Sequence, residues 1–197
     1  MEKDEIISGC EVVLIGGSAG SLKVLMHILP LLSSTPTYAL VIILHRKNTE
    51  DSTLEHLIAL KTILPVIEVE DKTVLKPGCI YIAPADYHLL FEKNKLLSLD
   101  ISEKVNHSRP SIDVSFESAA EVYQSALVAI LLSGSNADGT HGLKVIQNAG
   151  GKIVVQEPNT ADMPFMPNYA ILNTTPDLVL EPDEIATLLG TINSPLL

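Results

Sequence analysis

Ser18, His45 and Asp138 lie far apart in the chain, yet they are the three residue types a proton relay needs, and each follows an apolar run. A serine hydroxyl is a weak nucleophile until a base takes its proton during attack. Histidine suits that task because an imidazole titrates near neutrality. A carboxylate on the other ring nitrogen fixes the tautomer and steadies the imidazolium that forms. Ser18 stands in Gly16-Gly17-Ser18-Ala19-Gly20, which fits the nucleophile-elbow pattern G-x-S-x-G. Glycines on both sides permit a tight strand-to-helix turn that pushes the hydroxyl outward. The N–H of Ala19, directly after the serine, is the natural first donor to an oxyanion. In the expected geometry, His45 Nε2 lies within hydrogen-bond reach of the Ser18 hydroxyl.

Blander readings fit the same residues. A plain strand-to-helix turn accounts for the glycines, and histidine at a strand end is commonly a surface or capping residue. Aspartate before glycine commonly makes a turn, so Asp138 is also a candidate cap for the helix that follows it, with Asn136 as a rival acid-position residue. Asp86 and His88 form a second candidate pair, or make turn contacts in a hairpin connection. His27, His56, His107 and His141 read as structural or surface residues. The glycine turn fits neither G-x-G-x-x-G nor the Walker pattern, since no Gly-Lys-Ser/Thr follows, so a nucleotide site lacks a phosphate motif.

Elements that position the three residues are readable from hydropathy. Val12–Ile15, Tyr38–Leu44 and Leu127–Leu132 are continuous apolar runs, the pattern of strands buried on both faces. They end at Ser18, at His45-Arg46-Lys47-Asn48 and at the turn Ser133–Gly139. Further strands are expected at Val66–Glu70, Cys79–Pro84, Lys152–Gln156 and Leu178–Leu180, with a β-hairpin of Leu89–Glu92 and Lys95–Leu99. Helices are expected after Ser18, near Ser52–Leu60, from the start signal Ser108-Arg109-Pro110-Ser111 to about Ser125, at Gly142–Asn148 and from Pro182 to Leu189. Glu157–Pro167, with three prolines and two methionines, reads as an ordered loop. Strands alternating with helices predict an α/β fold: a mostly parallel, doubly wound sheet with helices on both faces and an inserted antiparallel hairpin. Ligands of such sheets sit outside the carboxyl ends of the strands, and right-handed crossovers put Ser18, His45 and Asp138 on that one rim.

The 197 residues suffice for one substantial core, and a single domain over 1–197 is expected. A net charge of −11, spread along the chain, argues against nucleic acid or an anionic membrane as partner. Cys10 and Cys79 have no ligand spacing, and no metal or cofactor is expected. The acidic start lacks the blocks of a signal peptide, and no apolar run approaches the roughly 18 residues of a membrane span, so a cytoplasmic protein without membrane insertion is expected.

Six segments together resemble the catalytic domain of the bacterial chemotaxis protein-glutamate methylesterases (CheB type). They are IGGSAGS around Ser18, VIILHR ending at His45, PGCIYIAPADYHLL at Pro77–Leu90, RPSIDVSFESAA at Arg109–Ala120, ILLSGSNADGTHGL at Ile130–Leu143 and MPFMPNYAI at Met163–Ile171. The resemblance implies a serine esterase that removes methyl groups from glutamate side chains of chemoreceptors, releasing methanol, and that can deamidate glutamines. It implies a triad of Ser18, His45 and Asp138, oxyanion donors at the backbone of Ala19 and Ser135, and the methylated cytoplasmic helices of chemoreceptors as partners. Family members commonly have threonine at Ala19, methionine at Ser135 and Met-Pro-Pro after the histidine, where this chain has Arg46-Lys47. They also usually carry an N-terminal receiver domain; the chain is expected to lack one, or to belong with a receiver in a larger signalling protein. Ser135 and Arg46 motivate the alternative of a non-catalytic signalling module that binds a receptor or partner through the same rim.

Overall fold

The computed structural model describes residue 7 and residues 9–32, 34–46 and 53–192. Lys47, Asn48 and Ser52, named above at the end of the second strand and the start of the next helix, lie outside the described residues.

Seven strands form one sheet: β1 (Val12–Gly17), β2 (Ala39–Leu44), β3 (Val66–Glu68), β5 (Ile80–Ile82), β8 (Leu127–Leu131), β9 (Lys152–Gln156) and β10 (Leu178–Leu180). Their order across the sheet is β10-β9-β8-β1-β2-β5-β3, and all neighbours pair in parallel. The chain winds outward from β1 through β2 to the β3 edge, then returns to β8 on the other side of β1. That reversal opens a crevice at the carboxyl ends beside β1, the place where open α/β sheets bind ligands. The expected hairpin is present as β6 (His88–Phe91) and β7 (Leu96–Asp100). A two-residue strand, β4 (Thr73–Val74), joins β7 and extends it to a three-stranded antiparallel sheet that hydropathy did not reveal.

Each central strand is buried along its whole length, so side chains alternate between two cores. Val13, Ile15, Leu40 and Ile42 face α1 (Ser21–Ile28) and α6 (Pro182–Thr191), through Leu25, Ile28, Ile185 and Leu189. Val12, Leu14, Val41 and Ile43 face α3 (Ile112–Tyr123), α4 (Thr140–Asn148), α5 (Phe165–Asn173) and the small sheet, through Ile112, Phe116, Leu143, Met166 and Leu97. A further helix, α2 (Thr53–Ala59), leads into the β3 edge. The buried Tyr38 hydroxyl donates to the Leu189 carbonyl at 2.8 Å, tying the last helix to the start of β2.

Two sequence expectations are corrected. The segment Glu157–Pro167 is not a loop throughout: a single turn of 3₁₀ helix at Pro158–Thr160 is followed by α5, which begins at Phe165. Pro110 does not open the helix. Ser111 is the N-cap and α3 begins at Ile112.

Gly16 and Gly20 are required for different reasons. At Gly16 an added Cβ would stand 2.6 Å from Ile112 Cγ2 and 2.9 Å from Phe116 Cζ, so glycine lets α3 lie directly on the end of β1. Gly20 has φ 88° as the N-cap of α1, a left-handed conformation that residues with a Cβ resist. Gly16→Ala is expected to cost about 1–3 kcal/mol through overpacking against α3. A urea unfolding midpoint unchanged from the parent would contradict that packing.

Candidate active site

The ladder of the parallel sheet runs one step beyond the ends of the strands, and this is what fixes the candidate residues. Gly17 is paired with Leu44, and the next residue on β2, His45, donates its N–H to Gly17 O at 3.1 Å. On the other side, Ser18 donates its N–H to Ser133 O at 2.9 Å. Ser18, the residue after Gly17, and His45, the residue after Leu44, are therefore in register on adjacent strands, a spacing of about 4.8 Å. One more step of each strand's alternation assigns both to the α3 face, since Gly16 and Ile43 already point there.

Ser133 anchors the turn after β1. Its carbonyl also accepts from Ser21 Oγ at 2.7 Å, while its own hydroxyl donates to Ala19 O at 2.7 Å and accepts from Met163 N at 2.9 Å. It is fully buried. By contrast, among the described residues the Ser18 hydroxyl and the N–H groups of Ala19 and Ser135 have no hydrogen-bond partner, and Ala19 and Ser135 are exposed.

His45 and Asp138 meet. His45 Nε2 lies 2.7 Å from Asp138 Oδ2, with the carboxylate fully buried and the imidazole side chain 11% exposed. The nitrogen differs from the expectation that Nε2 would face the serine. The reason is that Nε2, at the far tip of the ring, is taken by the buried acid, which leaves Nδ1 as the nitrogen free of it. An ionised carboxylate only accepts, so Nε2 is the donor, and in the neutral ring Nδ1 carries the lone pair.

Asp138 does not cap the helix that follows it, where Gly139 is the N-cap. It caps α3. Oδ2 accepts from Ile112 N at 2.7 Å; Oδ1 accepts from Asp113 N at 3.2 Å, Ser111 Oγ at 2.9 Å and Asn106 Nδ2 at 2.9 Å. Burial opposes ionisation, but the hydrogen bonds from His45, Asn106 and the Ile112 N–H outweigh it and hold the carboxyl down at about 2. Asn136 accepts from Asp138 N at 3.1 Å, which makes it a turn residue and not the acid.

A second buried carboxyl adjoins the first. Asp113 accepts from Gly142 N at 2.8 Å and from Asn106 Nδ2 at 2.9 Å, so one amide group serves both acids. Burial, with the like charge of Asp138 adding to it, pushes Asp113 up to about 6. Neither Asn106 nor Ser133 was singled out in the sequence. Asn106 sits with His107 in a two-residue turn, both at positive φ, between the bridged residues Val105 and Ser108. Its only sequence signal is the preference of asparagine for such turns. His88 is buried, accepting from Ser111 N at Nδ1 and donating to Glu103 O from Nε2, so it belongs to the scaffold and makes no pair with Asp86.

Comparison with known proteins agrees with the motifs. The sequence profile described as CheB methylesterase matches residues 13–189. The chain belongs to the CheB methylesterase family. A protein of Leptospira interrogans named putative protein-glutamate methylesterase/protein-glutamine glutaminase is 43% identical over 178 residues, covering 90% of this chain and 92% of that one. The Thermotoga maritima protein-glutamate methylesterase/protein-glutamine glutaminase is 33% identical over 177 residues, 88% of this chain and 51% of that protein. The crystal structure of the T. maritima CheB methylesterase catalytic domain superposes with a TM-score of 0.87 at 32% identity, covering 91% of this chain and 97% of that one. The CheB fold, a mostly parallel sheet with helices and a small antiparallel sheet, is thus the fold of this chain.

The paired carboxyls carry a pH signature. A carboxyl raised in the folded state binds its proton more tightly there than in the unfolded chain. Its contribution is present below the ordinary carboxylate range and lost as pH rises through the folded value. Asp113→Asn copies the protonated form, so its melting temperature relative to the parent should climb between about pH 4 and pH 6. A constant difference across that window would contradict the raised Asp113.

Proposed function

We propose that the chain is a protein-glutamate methylesterase that also acts as a protein-glutamine glutaminase, with Ser18 as nucleophile, His45 as base and Asp138 as the acid that orients it. What carries the reading is the 2.7 Å pairing of His45 with a buried, five-donor carboxylate, one ladder step from an uncommitted serine hydroxyl. The names of the Leptospira and Thermotoga relatives support the same activity.

Ser18 Oγ attacks the γ-carbonyl carbon of a glutamate methyl ester while its proton passes to His45 Nδ1. The N–H groups of Ala19 and Ser135 receive the oxyanion, a role that needs only backbone and so tolerates the replacement of threonine and methionine side chains. Collapse expels methanol, which takes the proton from His45 and leaves an acyl-enzyme. Water then attacks, its proton again taken by Nδ1 and passed to Ser18 Oγ as the bond to the serine breaks, and the glutamic acid released ionises in solvent. A glutamine side chain follows the same route with ammonia as leaving group. Throughout, Asp138 stays ionised and holds Nε2–H, so the imidazolium forms against a fixed negative charge. No described group has metal-ligand clustering, and no step calls for a cofactor.

In this reading residues 1–197 work as one catalytic domain in the cytoplasm, on the methylated cytoplasmic helices of chemoreceptors. No described helix is long and apolar enough to cross a membrane, which fits a protein that meets those helices from the aqueous side.

Ser18→Ala should lower methanol release from a methylated receptor fragment by at least about a thousandfold. Its unfolding free energy should stay within about 0.5 kcal/mol of the parent. Undiminished methanol release by a folded Ser18→Ala variant would exclude Ser18 as the nucleophile, and no release by the native chain would favour a partner-binding module over an esterase.

A further inference from the structure

Beside His45, on the side away from Ser133, lies a cleft of about 420 Å³ whose walls include Arg46, Asp86, Lys104 and Arg109. Its charge runs against the rest of the protein. The whole sequence has 24 acidic against 13 basic residues, yet these walls carry three cations and one carboxylate. Arg46 is already paired with Glu68. Lys104 and Arg109 are not paired with any carboxylate among the described residues. Arg109 spends Nη1 on two carbonyls, Ile101 O and Ser102 O, at 2.8 Å each, which pins the guanidinium to the cleft wall, while exposed Lys104 stands on the same loop.

Across the Arg46–Glu68 pair is a second cleft of about 570 Å³, walled by Glu55, Glu68, Glu70 and Asp71. The ion pair is therefore a boundary between a cationic and an anionic depression on the β2–β5–β3 side of the rim. An acidic polypeptide laid across the rim is attracted to the first and repelled by the second, so its orientation is selected by both signs.

We propose that the cleft beside His45 is a subsite for a second carboxylate of an acidic protein substrate, bound by Lys104 and Arg109 while the ester lies over Ser18. The proposal rests on the esterase reading of Ser18 and His45 and adds a specificity to it: glutamyl esters with acidic neighbours are preferred over isolated ones. Uncompensated cations in an acidic protein would otherwise gain by pairing with its own carboxylates, and these two do not. Partial enclosure of the cleft makes an added charge pair stronger than one on open surface, and salt weakens it.

Two helical peptides test this, each with one glutamate γ-methyl ester, flanked in one by glutamates and in the other by glutamines. The native chain should release methanol from the glutamate-flanked peptide with about fivefold higher kcat/KM, carried by KM and shrinking at high salt. In Lys104→Glu, a substitution at an exposed side chain, the preference should vanish or invert. Equal kcat/KM for the two peptides, or a preference that survives Lys104→Glu, overturns the subsite while leaving the esterase intact. If the native chain cleaves neither peptide, the esterase reading fails and the subsite falls with it.

Discussion

A buried negative charge needs donors on every side, and the structure answers that need at Asp138 by converging three segments on one carboxylate. The side chain takes two N–H groups from the first turn of α3, the hydroxyl of its N-cap, the amide of Asn106 and the imidazole of His45. A helix N-terminus and an anion stabilise each other, here by up to about 2 kcal/mol given the burial. The same carboxylate thus ends a helix and orients a histidine. Removing it would strand several buried donors at about 1–3 kcal/mol each. The contacts that complete the start of α3 therefore also fix the orientation of the histidine.

Placement of Ser18 follows a different rule. It is set by backbone, through ladder hydrogen bonds that outlast the strands on both sides, with Ser133 as the buried peg. Among the described residues the Ser18 hydroxyl and the N–H groups of Ala19 and Ser135 have no hydrogen-bond partner, while Ser133, which holds the turn, is fully engaged. Rigid elements with unspent donors at their tips are what a preorganised oxyanion site requires.

The central strands were legible because burial on both faces demands unbroken apolar runs, and a polar residue where such a run stops is conspicuous. That exposed Ser18 and His45, each directly after its strand, while Asp138 lies seven residues past the end of β8 in the turn before α4. Asn106 escaped because its role depends on a turn made by only two residues and on a reach to acids 7 and 32 positions away. The choice of Nε2 over Nδ1 escaped because it depends on where the buried acid sits relative to the ring, which spacing along the chain does not show. Helix α5 was hidden by its prolines: Pro164 precedes it and Pro167 lies in its first turn, where a missing N–H costs nothing. Its exposed Phe165, Tyr169 and Leu172 also blur any amphipathic stripe. Strand β4 is two residues long and has no periodicity to read.

The bond from the Tyr38 hydroxyl to Leu189 O has a reach beyond the core it crosses. Helix α6 lies against α1, and α1 begins three residues after Ser18. The final helix is thereby a brace for the segment that carries Ser18, latched by one phenol at the entrance to the strand that leads to His45. Loss of that helix would take away the support behind the turn that holds Ser18.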